Sequence, residues 1–123
     1  MRKKEALPEN YLERVPVRSP IGWSADESGM VTLEIENKGI FNRLFQKLLK
    51  KPKTTYIHLD ELGSFVWPEI DGEKNIVVLG EMVEERFGEA AHPLYERLAK
   101  FFQILESYGF ILFKQDSPDH KKQ

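Results

Sequence analysis

Three histidines are the side chains in this sequence best suited to metal binding or proton transfer. His58 ends a β-rich run, His92 precedes a proline and His120 lies near the C-terminus. A metal site needs three or four ligands that converge, and this spacing predicts no such convergence. The sequence contains no cysteine, which excludes disulfides, thiolate catalysis and cysteine-ligated zinc or iron–sulfur sites. We therefore predict neither a metal nor a cofactor.

The acidic pairs and the glycines give no stronger indication of an enzyme. Glu84-Glu85 falls on the polar face of a predicted helix, whereas a general acid–base pair needs a sheltered setting that shifts its pKa values. The glycines match neither the phosphate-loop patterns GxxxxGKS and GxxxxGKT nor the dinucleotide pattern GxGxxG. We therefore expect a protein without catalytic activity.

The composition is that of one small globular domain. The chain has 123 residues, of which 41% are hydrophobic and 11% aromatic, and its net charge is −2. No apolar run approaches the ~18–20 residues that a membrane-spanning helix needs. The N-terminal sequence MRKKEALPEN is basic but has no apolar stretch behind it, so it does not resemble a signal peptide. These features predict a cytoplasmic protein that does not enter a membrane.

Alternating apolar residues predict a small antiparallel sheet. Val31, Leu33 and Ile35 lie on one face of a strand, which pairs as a hairpin with the preceding segment 22–25. A third strand is predicted over Thr54–Leu59, where the side chains at odd and even positions again point to opposite faces.

Capping residues predict three helices after this third strand. Asp60 and Asn75 each precede a helical pattern and have side chains that accept hydrogen bonds from first-turn amides. Pro68 removes a backbone donor and should shorten the first of these helices. The third helix is predicted from Pro93 to Tyr108, before Gly109.

The fold class predicted from this order is α+β and winged-helix-like. It comprises a three-stranded antiparallel sheet, a three-helix bundle and an inserted basic amphipathic helix over residues 40–51, which Pro52 stops. The domain is predicted to span residues 15–113, with a mobile arm at 1–14 and a disordered tail at 114–123. Phe110–Phe113 is interpreted as a short apolar tail.

Two apolar lines run along the predicted third helix. One line has the spacing of a core-facing stripe and consists of Leu94, Leu98, Phe101, Leu105 and Tyr108. Tyr95 and Phe102 form a second line, roughly 90° around the helix at about 100° per residue. This second line either packs inside the domain or lines a groove that is open to a partner.

The segments LDELGSFVWPEIDG, VEERFG and LAKFFQILESYGFI, in this order and spacing, resemble the PqqD-like family of small peptide-binding domains. The resemblance implies a peptide-binding protein that serves the modification of ribosomally made peptides. It would capture the leader of a precursor peptide by adding it as a strand beside the third strand, and would present it to a modifying enzyme of the radical SAM type. The site residues that the resemblance implies are Thr54, Thr55, Tyr56, Ile57, His58, Tyr95, Leu98, Phe101 and Phe102.

A winged-helix domain that binds nucleic acid or has a regulatory role is the alternative interpretation. The outer face of the third helix carries Glu96, Arg97, Lys100 and Glu106, a mixed set that does not favour contact with phosphates. We therefore predict no nucleic acid partner. The basic helix at 40–51 would either pack on the domain, dock on an acidic protein or join two copies, so a homodimer is left open.

Overall fold

The computed structural model describes residues 10–36 and 54–114. The predicted helix at 40–51, the first nine residues of the predicted arm and residues 115–123 of the predicted tail lie outside this range. The strands are β1 Pro16–Arg18, β2 Gly22–Ala25, β3 Val31–Glu36, β4 Thr54–His58 and β5 Ile111–Phe113. The α-helices are α1 Glu61–Val66, α2 Ile76–Phe87 and α3 Leu94–Ser107.

The predicted α+β class and its three-stranded antiparallel sheet are confirmed. The strand order is β2-β3-β4, and Leu33 lies opposite both Trp23 and Ile57. Val31 and Leu33 are buried on the inner face, whereas Thr32 and Glu34 face outward and are partly exposed. This is the period-two pattern that the sequence predicts.

A second sheet, which the sequence analysis did not predict, joins the two ends of the domain. β1 pairs antiparallel with β5, with Val17 opposite Leu112. The prediction that Phe110–Phe113 is an apolar tail was therefore wrong, because its last three residues form a strand. The pairing places Ile111 in the core and brings Val17 into an isolated bridge with Asp71.

The helix starts are confirmed at the predicted caps. Asp60 Oδ1 accepts from the Gly63 N–H over 2.8 Å, and Asn75 Oδ1 accepts from the Val78 N–H over 2.9 Å. Each bond satisfies an amide that has no partner within its helix. Pro68 lies in a 3-10 turn that directly follows the short helix α1, in agreement with the predicted shortening.

One continuous core lies between the inner face of the sheet and the helices. Trp67, Phe102 and Leu33 are its largest fully buried side chains. Ser64 is buried in the same region and connects α1 to the sheet. The core therefore fixes α1 against β3 and α3 against α1 and α2.

Residues 10–14 belong to the packed domain rather than to the predicted arm. Tyr11–Glu13 forms a 3-10 turn, and the Tyr11 ring is buried in edge contact with Phe113. Arg14 stacks over Phe113, with its guanidinium carbon 4.2 Å from the ring centre. The packed part of the domain thus begins earlier than the predicted residue 15.

Stability at alkaline pH is expected to depend on Tyr11. Burial, with a smaller effect from Glu106, raises the pKa of Tyr11 from 10.0 to about 12. Between pH 10 and 12 the Tyr11 hydroxyl loses its proton in the unfolded chain but keeps it in the folded chain. The free energy of unfolding should therefore fall as the pH rises through this range. Urea unfolding across this range measures the slope. Tyr11→Phe should show a shallower fall, and an identical fall in both proteins would contradict the assignment.

Candidate functional site

The outer edge of β4 is defined here as the backbone N–H and C=O groups of Thr54, Tyr56 and His58. The Leu59 N–H donates to the Val31 carbonyl over 2.9 Å, so Leu59 and Val31 form a hydrogen-bonded pair. Hydrogen-bonded pairs alternate along an antiparallel ladder, so Ile57 also bonds to β3 and Tyr56 and His58 point away from it. Among residues 10–36 and 54–114, β3 alone pairs with β4. The outer edge is thus an unfinished ladder within that range.

The side chains of β4 give its two faces different characters. Tyr56 is 60% exposed on the outer face, opposite Glu34. His58 is on the same outer face, where its Nδ1 lies 2.9 Å from Thr32 Oγ1. Ile57 is half-buried on the inner face, opposite the buried Leu33. A strand added at the outer edge would therefore meet an apolar surface on the inner side only.

The buried face of α3 differs from the predicted one. Its core residues are Leu98, Ala99, Phe102 and Leu105. Leu98 and Phe102 are both 0% exposed, so neither offers surface to a peptide in the structure described here, and their contact with a peptide stays a prediction. The physical reason is that the side of α3 that faces the core lies between the two predicted apolar lines. Phe102 is therefore enclosed, whereas Tyr108 is exposed.

Tyr95, which was expected to line a groove beside the sheet, packs against α2 in this structure. Its hydroxyl donates to the Val77 carbonyl of α2 over 3.2 Å. The ring occupies the space beside Gly80, where a Cβ would be 2.5 Å from Tyr95 Cε1. Burial, followed by the nearby Glu81 and Glu84, raises the pKa of Tyr95. Tyr95 therefore joins α2 to α3 and serves the fold.

Gly80→Ala is expected to destabilise the domain by up to about 2 kcal/mol. The overlap of the added methyl group with the Tyr95 ring costs about 1–3 kcal/mol, and a gain of roughly 1 kcal/mol in helix propensity offsets part of that cost. Urea unfolding measures the change. In a Tyr95→Leu background the same substitution should be neutral or stabilising, and an equal loss in both backgrounds would contradict the contact.

The exposed side of α3 next to Phe101 carries a strip that we call the apolar flank, formed by Phe101, Ile104 and Tyr108. Phe101 is half-buried, Ile104 is 49% exposed and Tyr108 is 69% exposed. Their spacing of three and four residues places them on one side of the helix. At Gly63, a Cβ would lie 2.9 Å from Phe101 Cε1 and 3.4 Å from Leu59 Cβ. The apolar flank therefore begins beside the C-terminal end of β4.

Ser64 holds the sheet at the position where β4 meets α1. The Val31 N–H donates to Ser64 Oγ over 2.8 Å, and Ser64 Oγ donates to the Leu59 carbonyl over 3.3 Å. Together with the close approach at Gly63, these bonds fix the distance between β4 and α3. Ser64, Gly63 and Ile104 were not predicted from the sequence. Gly63 was the available signal, because a glycine in the first turn of a helix allows a close neighbour.

The site has no features of metal or membrane chemistry within the described range. Residues 10–36 and 54–114 contain no group of three or more His, Asp or Glu side chains that could hold a metal ion. The helices in that part of the chain are too short and too polar to cross a bilayer. The geometry of β4 and α3 offers backbone hydrogen bonds and apolar contacts.

One protein family matches the part of the chain that contains these strands and helices. The model of the family described as coenzyme PQQ synthesis protein D (PqqD) matches residues 29–111, which include β3, β4 and the three α-helices. The chain belongs to the PqqD family. PqqD-family proteins are precursor-peptide recognition domains of ribosomal peptide modification, and they are non-catalytic accessory proteins. Comparisons with curated proteins and with solved structures gave no match.

The motifs that carry the PqqD resemblance have structural roles in this chain. Leu59-Asp60 ends β4 and caps α1. Asp71 accepts from the Glu73 and Lys74 amides and from Lys74 Nζ, which lowers the pKa of Asp71 to about 2. Gly72 and Gly109 adopt positive φ angles of 81°, which favour glycine. The PqqD motifs thus set the end of β4, the turn before α2 and the turn after α3.

Proposed function

We propose that this protein captures the leader segment of a ribosomally made precursor peptide by β-strand addition at the outer edge of β4. The observation that carries the proposal is the outward direction of the Tyr56 and His58 backbone groups beside an apolar flank on α3. Membership of the PqqD family supports the same class of ligand. The site residues are Thr54, Thr55, Tyr56, Ile57 and His58 of β4, together with Phe101, Ile104 and Tyr108 of α3.

Ladder hydrogen bonds alone are too weak to hold such a peptide. Each added bond contributes roughly 0.5–1.5 kcal/mol, whereas ordering each residue of the peptide backbone costs about 1–2 kcal/mol. These two contributions nearly cancel. Micromolar affinity needs about −8 kcal/mol, so it requires two or three apolar anchors worth roughly 1.5–3 kcal/mol each. The apolar flank offers the surface on which such anchors would pack.

The register determines which peptide residues serve as anchors. Opposite residues on neighbouring strands share a face, so peptide residues opposite Thr55 and Ile57 turn toward the inner face and α3. Those two peptide positions are two residues apart. The peptide residue opposite Tyr56 turns to the outer face, beside the exposed tyrosine ring. The proposed ligand therefore has apolar residues at alternate positions.

The protein acts in this proposal as a non-catalytic carrier in the cytoplasm. It presents the bound peptide to a separate modifying enzyme, of the radical SAM type that the family resemblance implies. Strand addition leaves one face of the bound peptide exposed, so residues beyond the paired segment remain accessible to that enzyme. Selectivity lies in the apolar flank, because the backbone ladder is the same for any sequence.

The experiment is an NMR titration of the labelled protein with a synthetic leader-type peptide that carries two leucines at alternate positions. A matched peptide with serine at those two positions is the control. We expect shifts in Tyr56, His58 and Ile104 with the leucine peptide, and weaker binding of the serine peptide by at least about a hundredfold, since two anchors are lost. Shifts that avoid both β4 and α3 would refute the proposal.

A further inference from the structure

A cluster of one arginine and two tryptophans lies beside β2, at the edge of the three-stranded sheet opposite to β4. Arg18 of β1 stacks over Trp23 of β2, with its guanidinium carbon 5.2 Å from the ring centre. The same carbon is 5.8 Å from the ring centre of Trp67. The two indole rings meet edge to face, with their centres 6.5 Å apart.

Two buried hydrogen-bond donors in this cluster have no acceptor. Arg18 Nη1 and Trp67 Nε1 are both enclosed, and neither has a hydrogen-bond partner among the described residues. Trp67 is 0% exposed as a whole. Stacking on the indoles satisfies the faces of the guanidinium but not the N–H groups in its plane. Buried polar groups are almost always hydrogen-bonded, so two unsatisfied donors in one cluster point to an acceptor from outside the chain.

The charge of the cluster indicates that the acceptor is anionic. The described ion pairs join Lys74 to Glu69 and Asp71, and His92 to Glu84, so none of them neutralises Arg18. Arg18 is half-buried, and a guanidinium in that setting is stabilised by an anion that accepts from it in its own plane. Trp23 is 36% exposed at the edge of the sheet, so the cluster reaches the surface.

We propose that Arg18 and Trp67 form a binding site for a carboxylate group, which reaches the two enclosed donors when the partly exposed ring of Trp23 moves aside. A carboxylate is planar, carries one negative charge and has two oxygens, which can accept separately from Arg18 Nη1 and Trp67 Nε1. A phosphate dianion carries more charge and is costlier to desolvate between two indole rings. The carboxylate belongs either to a small free acid or to an acidic residue of a partner polypeptide. This proposal does not depend on peptide capture at β4.

The test follows the two indole N–H signals in proton–nitrogen NMR spectra, with Trp23→Phe used to assign the signal of Trp67. Sodium acetate is titrated against sodium chloride at equal ionic strength. We expect acetate to move the Trp67 indole proton downfield until it saturates. In Arg18→Gln this saturable shift should be lost.

Arg86→Gln is the matched control, because Arg86 also stacks over aromatic rings, those of Phe65 and Phe87, but has no buried unsatisfied nitrogen. It should respond to acetate as the parent protein does. The absence of a saturable shift with acetate, or an unchanged shift in Arg18→Gln, would overturn the proposal. A saturable shift with inorganic phosphate but not with acetate would overturn the choice of a carboxylate.

The source of the carboxylate is resolved by a second pair of probes, the blocked peptides acetyl-Gly-Glu-Gly-amide and acetyl-Gly-Gln-Gly-amide. Saturation by the glutamate peptide at lower concentration than acetate, with no response to the glutamine peptide, assigns the site to an acidic residue of a polypeptide. Saturation by acetate with no response to either peptide assigns it to a free acid. Equal responses to both peptides would show binding without the carboxylate and would contradict the proposal.

Discussion

Phe102→Ala is expected to lower the free energy of unfolding by about 3–5 kcal/mol, which is the cost of removing a fully buried phenylalanine and leaving a cavity. The Phe102 ring is 0% exposed and lies in edge contact with Phe101, with the ring centres 5.3 Å apart. Domains of this size are stable by only about 5–15 kcal/mol in total. The variant should therefore unfold at much lower urea concentration than the parent.

Ile104→Ala on the same helix is the matched control for Phe102→Ala. Ile104 is 49% exposed, so its removal should change stability by less than about 1 kcal/mol. In peptide titrations the order should reverse, with Ile104→Ala weakening binding in a protein that remains folded. A Phe102→Ala protein as stable as the parent, with weakened peptide binding, would restore Phe102 as a contact residue and contradict the assignment of faces on α3.

Tyr56→Pro is expected to abolish or strongly weaken peptide binding while the domain remains folded. The Tyr56 N–H points away from β3, so its loss removes no bond of the existing sheet, and proline is tolerated at such positions on edge strands. An added peptide would lose one ladder bond and would meet the proline ring. Together these effects should cost about 1.4 kcal/mol or more, which lowers the affinity at least about tenfold. Titration calorimetry with the leucine peptide measures the affinity.

Two further variants separate the backbone effect of Tyr56→Pro from other causes. Tyr56→Thr keeps the N–H and removes the exposed ring, so its affinity should remain closer to that of the parent. Ile57→Pro removes a ladder bond to β3 and leaves its acceptor unpaired, so it should destabilise the fold by about 1–3 kcal/mol. Equal loss of affinity in Tyr56→Thr and Tyr56→Pro would show that the side chain, and not the outer edge, holds the peptide.

The features that the sequence predicted well are those that depend on near neighbours. Asp60 and Asn75 were identified as caps because a cap acts on amides three residues away. The alternation of Val31, Leu33 and Ile35 fixed the faces of β3 in the same local way. The winged-helix likeness stays a prediction, because it concerns the arrangement of whole elements.

The pairing of β1 with β5 could not be predicted from local patterns. Arg18 lies opposite Ile111, and nearly the whole domain separates them along the chain. Each strand is three residues long, which is too short for an alternation to be recognised. Pro16 fixed an extended backbone, and that signal does not identify a partner strand.

The buried face of α3 was predicted only in part, because both of its lines contain large apolar residues. The spacing of apolar residues shows that a helix has an apolar face, but it does not show which helix or strand packs against each side of that face. Here α2 contacts the side with Tyr95, α1 contacts the side with Phe101, and Phe102 lies between them. The glycines were the overlooked signal, because Gly80 admits the ring of Tyr95 and Gly63 admits the ring of Phe101.

Amide hydrogen exchange in the presence and absence of the leucine peptide tests the central claim most directly. In the free protein, the Ile57 and Leu59 amides bond to β3 and should exchange slowly, whereas the Tyr56 and His58 amides should exchange quickly. Saturating peptide should slow Tyr56 and His58 and leave Ile57 and Leu59 little changed. If the peptide binds and the Tyr56 and His58 amides still exchange as fast as in the free protein, strand addition at β4 is contradicted.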